Sequence, residues 1–190
     1  MQTFISTHSS HITSQSIFND IKYFFKESVN SVICKNLFDL EKQYGTEDSE
    51  KKNFQFLKQY LTLSKSELFF AEKIVFIEGD TERILLPAMM KKIDNENKDT
   101  ENYSPLLSQN ISIVEVGAYS HIFDSFLNFL GIKTLIITDI DLIDSDNKKC
   151  RVADGVNTSN ASIKYFLKDK DFNNLKGLNQ KYCRKKILSG

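Results

Sequence analysis

No apolar run in this 190-residue chain approaches the ~18 residues needed to cross a bilayer. A membrane-spanning helix is excluded and a soluble protein expected. The first twenty positions are a polar Ser/Thr/His stretch, without the basic start and apolar block of a secretory signal, so the cytoplasm is the default location. Cysteine is scarce. Cys34, Cys150 and Cys183 are odd in number, widely spaced and never in a C-x-x-C pair, which argues against a disulfide framework or a structural zinc site and leaves them as packing residues. Net charge is absent as well, with 25 basic residues against 25 acidic ones, so bulk electrostatics gives no argument for nucleic-acid binding. No G-x-x-x-x-G-K-[ST] loop occurs, and without that phosphate cradle the chain alone is not expected to hydrolyse ATP.

What is present suits one domain with a full core plus an appended segment. The chain divides into three zones. In the first, residues 1–40, Ile21 to Lys26 and Ser31 to Lys35 are runs rich in β-branched and aromatic residues around a polar turn, and predict a β-hairpin. In the second, residues 41–71, the polar stretch 46–53 reads as a linker or helix start. Phe54, Leu57 and Leu61 then fall at helical spacing, predicting a linker helix of about three turns that ends near Ser64. The third zone, residues 72–190, alternates apolar runs with amphipathic stretches. Lys73 to Ile77, Asn110 to Val116 and Lys133 to Thr138 read as strands, Ile84 to Met90 and Tyr119 to Leu130 as helices, and Lys91 to Glu101 as a surface loop. That alternation predicts an α/β fold with a parallel sheet and flanking helices. The last thirty positions hold eight basic residues against two acids, a tail that could meet phosphates but reads first as a solvated, frayed end.

In an open parallel sheet, ligands bind beyond the carboxyl ends of the strands. Glu78 immediately follows the first predicted strand, Gly117 the second and Asp139 the third. Glu82 can turn back toward Glu78 from the first helical turn, and Asp141 stands two residues beyond Asp139. Four carboxylates so gathered raise one another's pKa unless a cation neutralises them, and hard oxygen donors select magnesium or manganese. Taken singly, Glu78 and Asp80 could be no more than acids at a helix start, and Asp139 a loop residue. Both pairs at strand ends, in this order, favour the metal site.

Ile77-Glu78-Gly79-Asp80-Thr81-Glu82, followed about 60 residues later by Ile137-Thr138-Asp139-Ile140-Asp141, resembles the TOPRIM signature of topoisomerases, primases and OLD (overcoming lysogenization defect) nucleases. The flanks Ser64 to Ala71 and Asn157-Thr158-Ser159-Asn160-Ala161 are similar to the OLD family in particular. The opening Ile5 to His11 resembles the switch-histidine segment that ends the ABC-type ATPase domain of those proteins. The resemblance implies a Rossmann-like TOPRIM domain over residues 72–190, C-terminally truncated, behind a remnant of the ATPase domain in residues 1–40. It implies an Mg/Mn-dependent DNA endonuclease with Glu78, Glu82, Asp139 and Asp141 as metal ligands, and Glu78, Asp139 and Asp141 catalytic. Ser159 and Asn160 would lie near a second metal position, and His8 would sense ATP in a longer parent protein that is a homo-oligomer active in phage defence. On this view the chain is a piece of that parent, and the lysine-bearing segment found beyond this point in family members has no assignable substitute among Lys164, Lys181, Lys185 and Lys186.

Three other readings compete. His8 and His11, three apart, could be a zinc pair, but no third ligand is evident. Thr138-Asp139-Ile140-Asp141 could be the paired aspartates of a haloacid-dehalogenase-type phosphatase, although that motif belongs on a first strand and would leave Glu78 without a role. Finally, a TOPRIM domain could bind metal or a partner without cutting.

Overall fold

The structure, a computed structural model, describes residues 2–151 and 154–167. Cys183 and the basic tail from Lys168 onward lie outside the described residues. Backbone contacts divide the chain into two compact units.

The first unit takes in residues up to 72 and residues 122–132. It opens on an unanticipated short helix, α1 (Ser10–Gln15), whose first turn is capped by the Ser9 hydroxyl. The expected hairpin follows as β1 (Lys22–Ser28) and β2 (Ser31–Asn36), antiparallel with Phe24 opposite Cys34. Strand alternation turns that pair outward, so Phe24 and Cys34 are both exposed. Cys150 is half-buried, and the reading of these thiols as packing residues is therefore wrong for Cys34. The linker helix is α2 (Asp48–Leu63). It is longer than its apolar spacing predicts because Glu47 and Glu50 form a capping box that recruits the polar stretch as a first turn. Its Phe54, Leu57 and Leu61 are buried with Phe18, Leu37, Leu40 and Leu68, each contributing about 1.5–3 kcal/mol by burial. A later segment, α4 (Asp124–Leu130, labelled in chain order with α3 below), joins this core, with Phe126 edge-on to Phe69 at 5.7 Å. It stops at Gly131, whose φ of 73° is the left-handed conformation that ends helices.

The second unit is built on β3 (Lys73–Ile77), β4 (Ile111–Glu115) and β5 (Lys133–Ile136), a parallel sheet in the order β4-β3-β5. Ile74, Phe76 and Ile77 of the central strand are buried, as a continuous apolar run in a parallel sheet requires. After β3 comes α3 (Asp80–Asn97), which packs against β4. It runs through most of the segment read as the loop Lys91 to Glu101, because no Gly or Pro lies between Lys91 and Asn97 to end it. The loop that follows is tied back to it, the Asp94 carboxylate accepting from Tyr103 Oη at 2.6 Å and from the backbone N–H groups of Leu106 and Leu107. The helix expected over Tyr119 to Leu130 is instead a 3₁₀ segment, Gly117–Phe123, and then α4; Gly117 has φ 57° and Tyr119 is non-helical, so the chain turns before it coils. Beyond β5 lies a second hairpin, β6 (Leu142–Ile143) with β7 (Asn157–Thr158), and then α5 (Ala161–Phe166). The hairpin escapes sequence reading because each strand is two residues long.

Candidate functional site

The sheet delivers its carboxyl ends to one edge. Ile137 N–H donates to Phe76 O at 2.8 Å and Val116 N–H to Ile77 O at 3.0 Å, continuing the parallel ladder one step past the regular strands. Glu78 emerges there beside Thr138 and Asp139. Its Oε2 accepts from Thr138 Oγ1 at 2.5 Å, from Asp139 N–H at 2.7 Å and from Asn160 Nδ2 at 3.3 Å. One carboxylate oxygen thus binds the two acidic loops together.

Glu82 turns back as its spacing predicts, Oε2 accepting from Gly79 N–H at 3.1 Å at the start of α3, one half of a capping box, since Gly79 has no side chain to return the bond. The Asp139 carboxyl is held above the usual carboxylate range, first by partial desolvation and then by the charges of Glu78, Glu82 and Asp141, with Lys149 pulling the other way. All four predicted carboxylates therefore share one electrostatic neighbourhood. Asp141 has φ 44°, a left-handed conformation that few residues other than glycine adopt, aspartate and asparagine more readily than most. Its carboxylate meets Lys149 Nζ at 3.3 Å, and its carbonyl accepts from Ser159 N–H at 2.8 Å and Ser159 Oγ at 3.2 Å. Thr158 Oγ1 donates a short bond to Ile140 O and accepts from Asn160 N–H at 3.1 Å. Residues 158–160 thus clamp the backbone of residues 139–141.

Ser159 is exposed at this edge, and Asn160 is buried with its amide spent on other protein groups. His8, in the first unit, is exposed, its ring tilted against Phe70 at 6.4 Å. Thr138, Lys149 and Thr158 were not singled out in the sequence. An Asn just before a short helix is a capping signal, and it was the one available cue to Asn160's second duty. Among the described residues no three Asp, Glu, His or Cys side chains are drawn together as a ready ligand set. The oxygen chemistry of the four acids nevertheless suits a hard divalent cation, which would offset both the desolvation and the like charges that raise the Asp139 carboxyl.

A family model for the TOPRIM domain of overcoming lysogenization defect protein-like proteins matches residues 69–141, a span that begins ahead of β3 and ends on Asp141. The chain belongs to the OLD family, by its TOPRIM domain. It is 34% identical over 182 residues to Endonuclease GajA of Bacillus cereus strain HuB5-5, a match covering 88% of this chain and 25% of that protein. It is 30% identical over 146 residues to the Old nuclease of Escherichia phage P2, covering 75% of this chain and 22% of that protein. A second Endonuclease GajA, from Bacillus cereus strain VD045, is 27% identical over 148 residues, covering 77% of this chain and 22% of that protein. The chain spans about a quarter of the length of these curated relatives. No solved structure matches it significantly. The TOPRIM match encloses Glu78, Glu82, Asp139 and Asp141 together, and stops short of the 158–160 clamp. No helix among the described residues is long and apolar enough to cross a membrane.

Proposed function

We propose that this chain is the nuclease portion of an OLD-like protein, hydrolysing phosphodiester bonds in DNA with magnesium or manganese. The observation that carries the reading is the meeting of the two acidic loops at the strand ends, where the Glu78 carboxylate accepts from Asp139 N–H and the Asp139 carboxyl is raised, first by desolvation and then by the charges of Glu78, Glu82 and Asp141. Glu78, Glu82, Asp139 and Asp141 are the ligands proposed for the ion, with the exposed Ser159 hydroxyl a further oxygen donor. When bound, a divalent ion supplies Lewis acidity toward phosphate oxygens. The chain's own part is to present acceptor oxygens at fixed places: Glu78 by its three donors, Asp141 by the clamped left-handed turn. Lys149, now paired with Asp141, is the described cation at this edge that could meet substrate phosphate. The relatives named as endonucleases support a nuclease.

The remaining proposals concern the parent protein. Residues 1–40 are read as the end of an ABC-type ATPase domain, 41–71 as a linker and 72–190 as the TOPRIM domain, with His8 sensing ATP only in that longer context. A homo-oligomeric, cytoplasmic protein acting in phage defence belongs to the same reading. A second reading, a TOPRIM module that binds without cutting, draws on the internal donors that engage Glu78, Glu82 and Asp141.

The test is nicking of supercoiled DNA by the purified chain with and without manganese, beside Glu78→Gln. Manganese-dependent nicking that Glu78→Gln abolishes is expected. Manganese binding without nicking would select the second reading in its metal-binding form, and no binding at millimolar manganese by calorimetry would remove the metal site from both readings.

A further inference from the structure

Asn160 is 2% exposed, and both ends of its side-chain amide are committed. Oδ1 accepts from Ile163 N–H at 3.1 Å as the N-cap of α5. That bond decides which way the amide faces, because a flipped amide would set its own donors against an N–H. Nδ2 accordingly faces Thr138 Oγ1 at 2.7 Å, Asp139 O at 3.0 Å and Glu78 Oε2 at 3.3 Å. An NH₂ group has two protons for these three acceptors. One goes to Thr138, and the other is shared between the Asp139 carbonyl and the Glu78 carboxylate. Having accepted from Asn160, the Thr138 hydroxyl is left to give its single proton to Glu78 Oε2.

We propose that Asn160, acting in part through Thr138, is a positioning residue that locks the Glu78 carboxylate to the Asp139 backbone, and is not itself a ligand. The loop after β3 carries Glu78 and the loop after β5 carries Asp139 and Asp141, and the parallel ladder ends before any of these acids. Beyond it, the bonds across the gap are those that converge on Glu78 Oε2 and the Asp139 carbonyl. Asn160 touches both, and its own place is set by the cap of α5 and by Thr158. A side chain held from one side by a helix start and from the other by two acidic loops is a hinge pin, and polar supports of this kind typically change metal affinity about 10–100-fold when removed. The inference rests on the metal-dependent reading above.

Three measurements on the full chain test it. In metal-free protein, ¹⁵N NMR should show the Asn160 side-chain protons exchanging with water far more slowly than those of the exposed Asn147. Calorimetry should show manganese binding weakened about 10–100-fold in Asn160→Asp, which keeps size and capping ability but turns a donor into an acceptor facing Glu78. Thr138→Val should weaken binding similarly, and Thr138→Ser, which keeps the hydroxyl, should restore it. Tighter binding by Asn160→Asp would make residue 160 a ligand and overturn the proposal. Parent-like binding by both Asn160→Asp and Thr138→Val would also overturn it. If Asn160→Asp fails to fold, the two Thr138 variants decide. Absence of manganese binding by the parent removes the metal reading instead, and the pin then stands or falls on the exchange of the Asn160 protons.

Discussion

The two acidic loops of the site are held in opposite ways. The backbone of the loop after β3 is organised by its own neighbours, since Glu82, in the first turn of the helix that begins two residues after Glu78, accepts from Gly79 N–H. The loop after β5 has no helix to enter. Its shape comes from residues 158–160, which bond to the backbone of residues 139–141, and it includes Asp141 at positive φ. A local device suffices where a strand runs into a helix, whereas a strand that runs into a hairpin must borrow its order from side chains some twenty residues away. The second loop is for that reason the more breakable half of the site.

The largest expected effect separates chemistry from fold at that loop. Asp139→Asn should leave the sheet intact, because the position is set by bonds to its backbone N–H and carbonyl and not by its side chain, and should cut manganese-dependent nicking by roughly two orders of magnitude. Metal-free stability should move the other way. The folded Asp139 pKa lies above its unfolded value of about 3.9, so folding loses stability as pH rises through that window, and Asp139→Asn removes the loss at neutral pH. Melting curves at pH 7 and pH 3 should show the variant slightly more stable at the first and level with the parent at the second. Parent-like nicking by Asp139→Asn would break the site reading outright.

A smaller effect tests whether the hairpin is what holds the second loop. A Cβ at Gly155 would lie 2.8 Å from both Cβ and Cδ1 of Leu142, too close for either. Gly155→Ala should therefore push β6 and β7 apart and cost about 1–3 kcal/mol in denaturant unfolding. It should also weaken manganese binding, although Gly155 is no part of the site. Undiminished affinity in a destabilised variant would show the second loop to be as self-sufficient as the first.

The smallest effect is expected from the first loop. Glu82→Gln keeps an acceptor for Gly79 N–H and so should preserve the cap, shifting stability by less than about 0.5 kcal/mol while lowering manganese affinity through the lost charge. A large loss of stability would mean that the cap depends on the carboxylate's charge, and that the contrast between the loops is weaker than the hydrogen bonds suggest.

Much of this was written into the chain in local form. Ile74, Val75, Phe76 and Ile77 can only be a buried strand, Phe54, Leu57 and Leu61 can only share one face of a helix, and an acid just past each strand must arrive at the sheet's carboxyl edge. Those conclusions need only the two-residue and 3.6-residue periods of backbone geometry together with short connections. The spread of α3 through Lys91 to Asn97 and the 3₁₀ turn at Gly117 were less legible, because weak propensities there are settled by caps and neighbours.

By itself, then, the sequence determined the three strands of the parallel sheet and the first hairpin, which acids stand at the sheet's strand ends, and the family whose pattern they match. Tertiary structure alone decided that Asn160 and Thr138 tie those acids together, that Lys149 meets Asp141, and that α4 joins the core of the first unit. The physical reason is range. Periodicity and charge spacing act over a few residues, but a buried amide must satisfy its donors wherever the folded chain sets acceptors, and those partners lie twenty to eighty residues away.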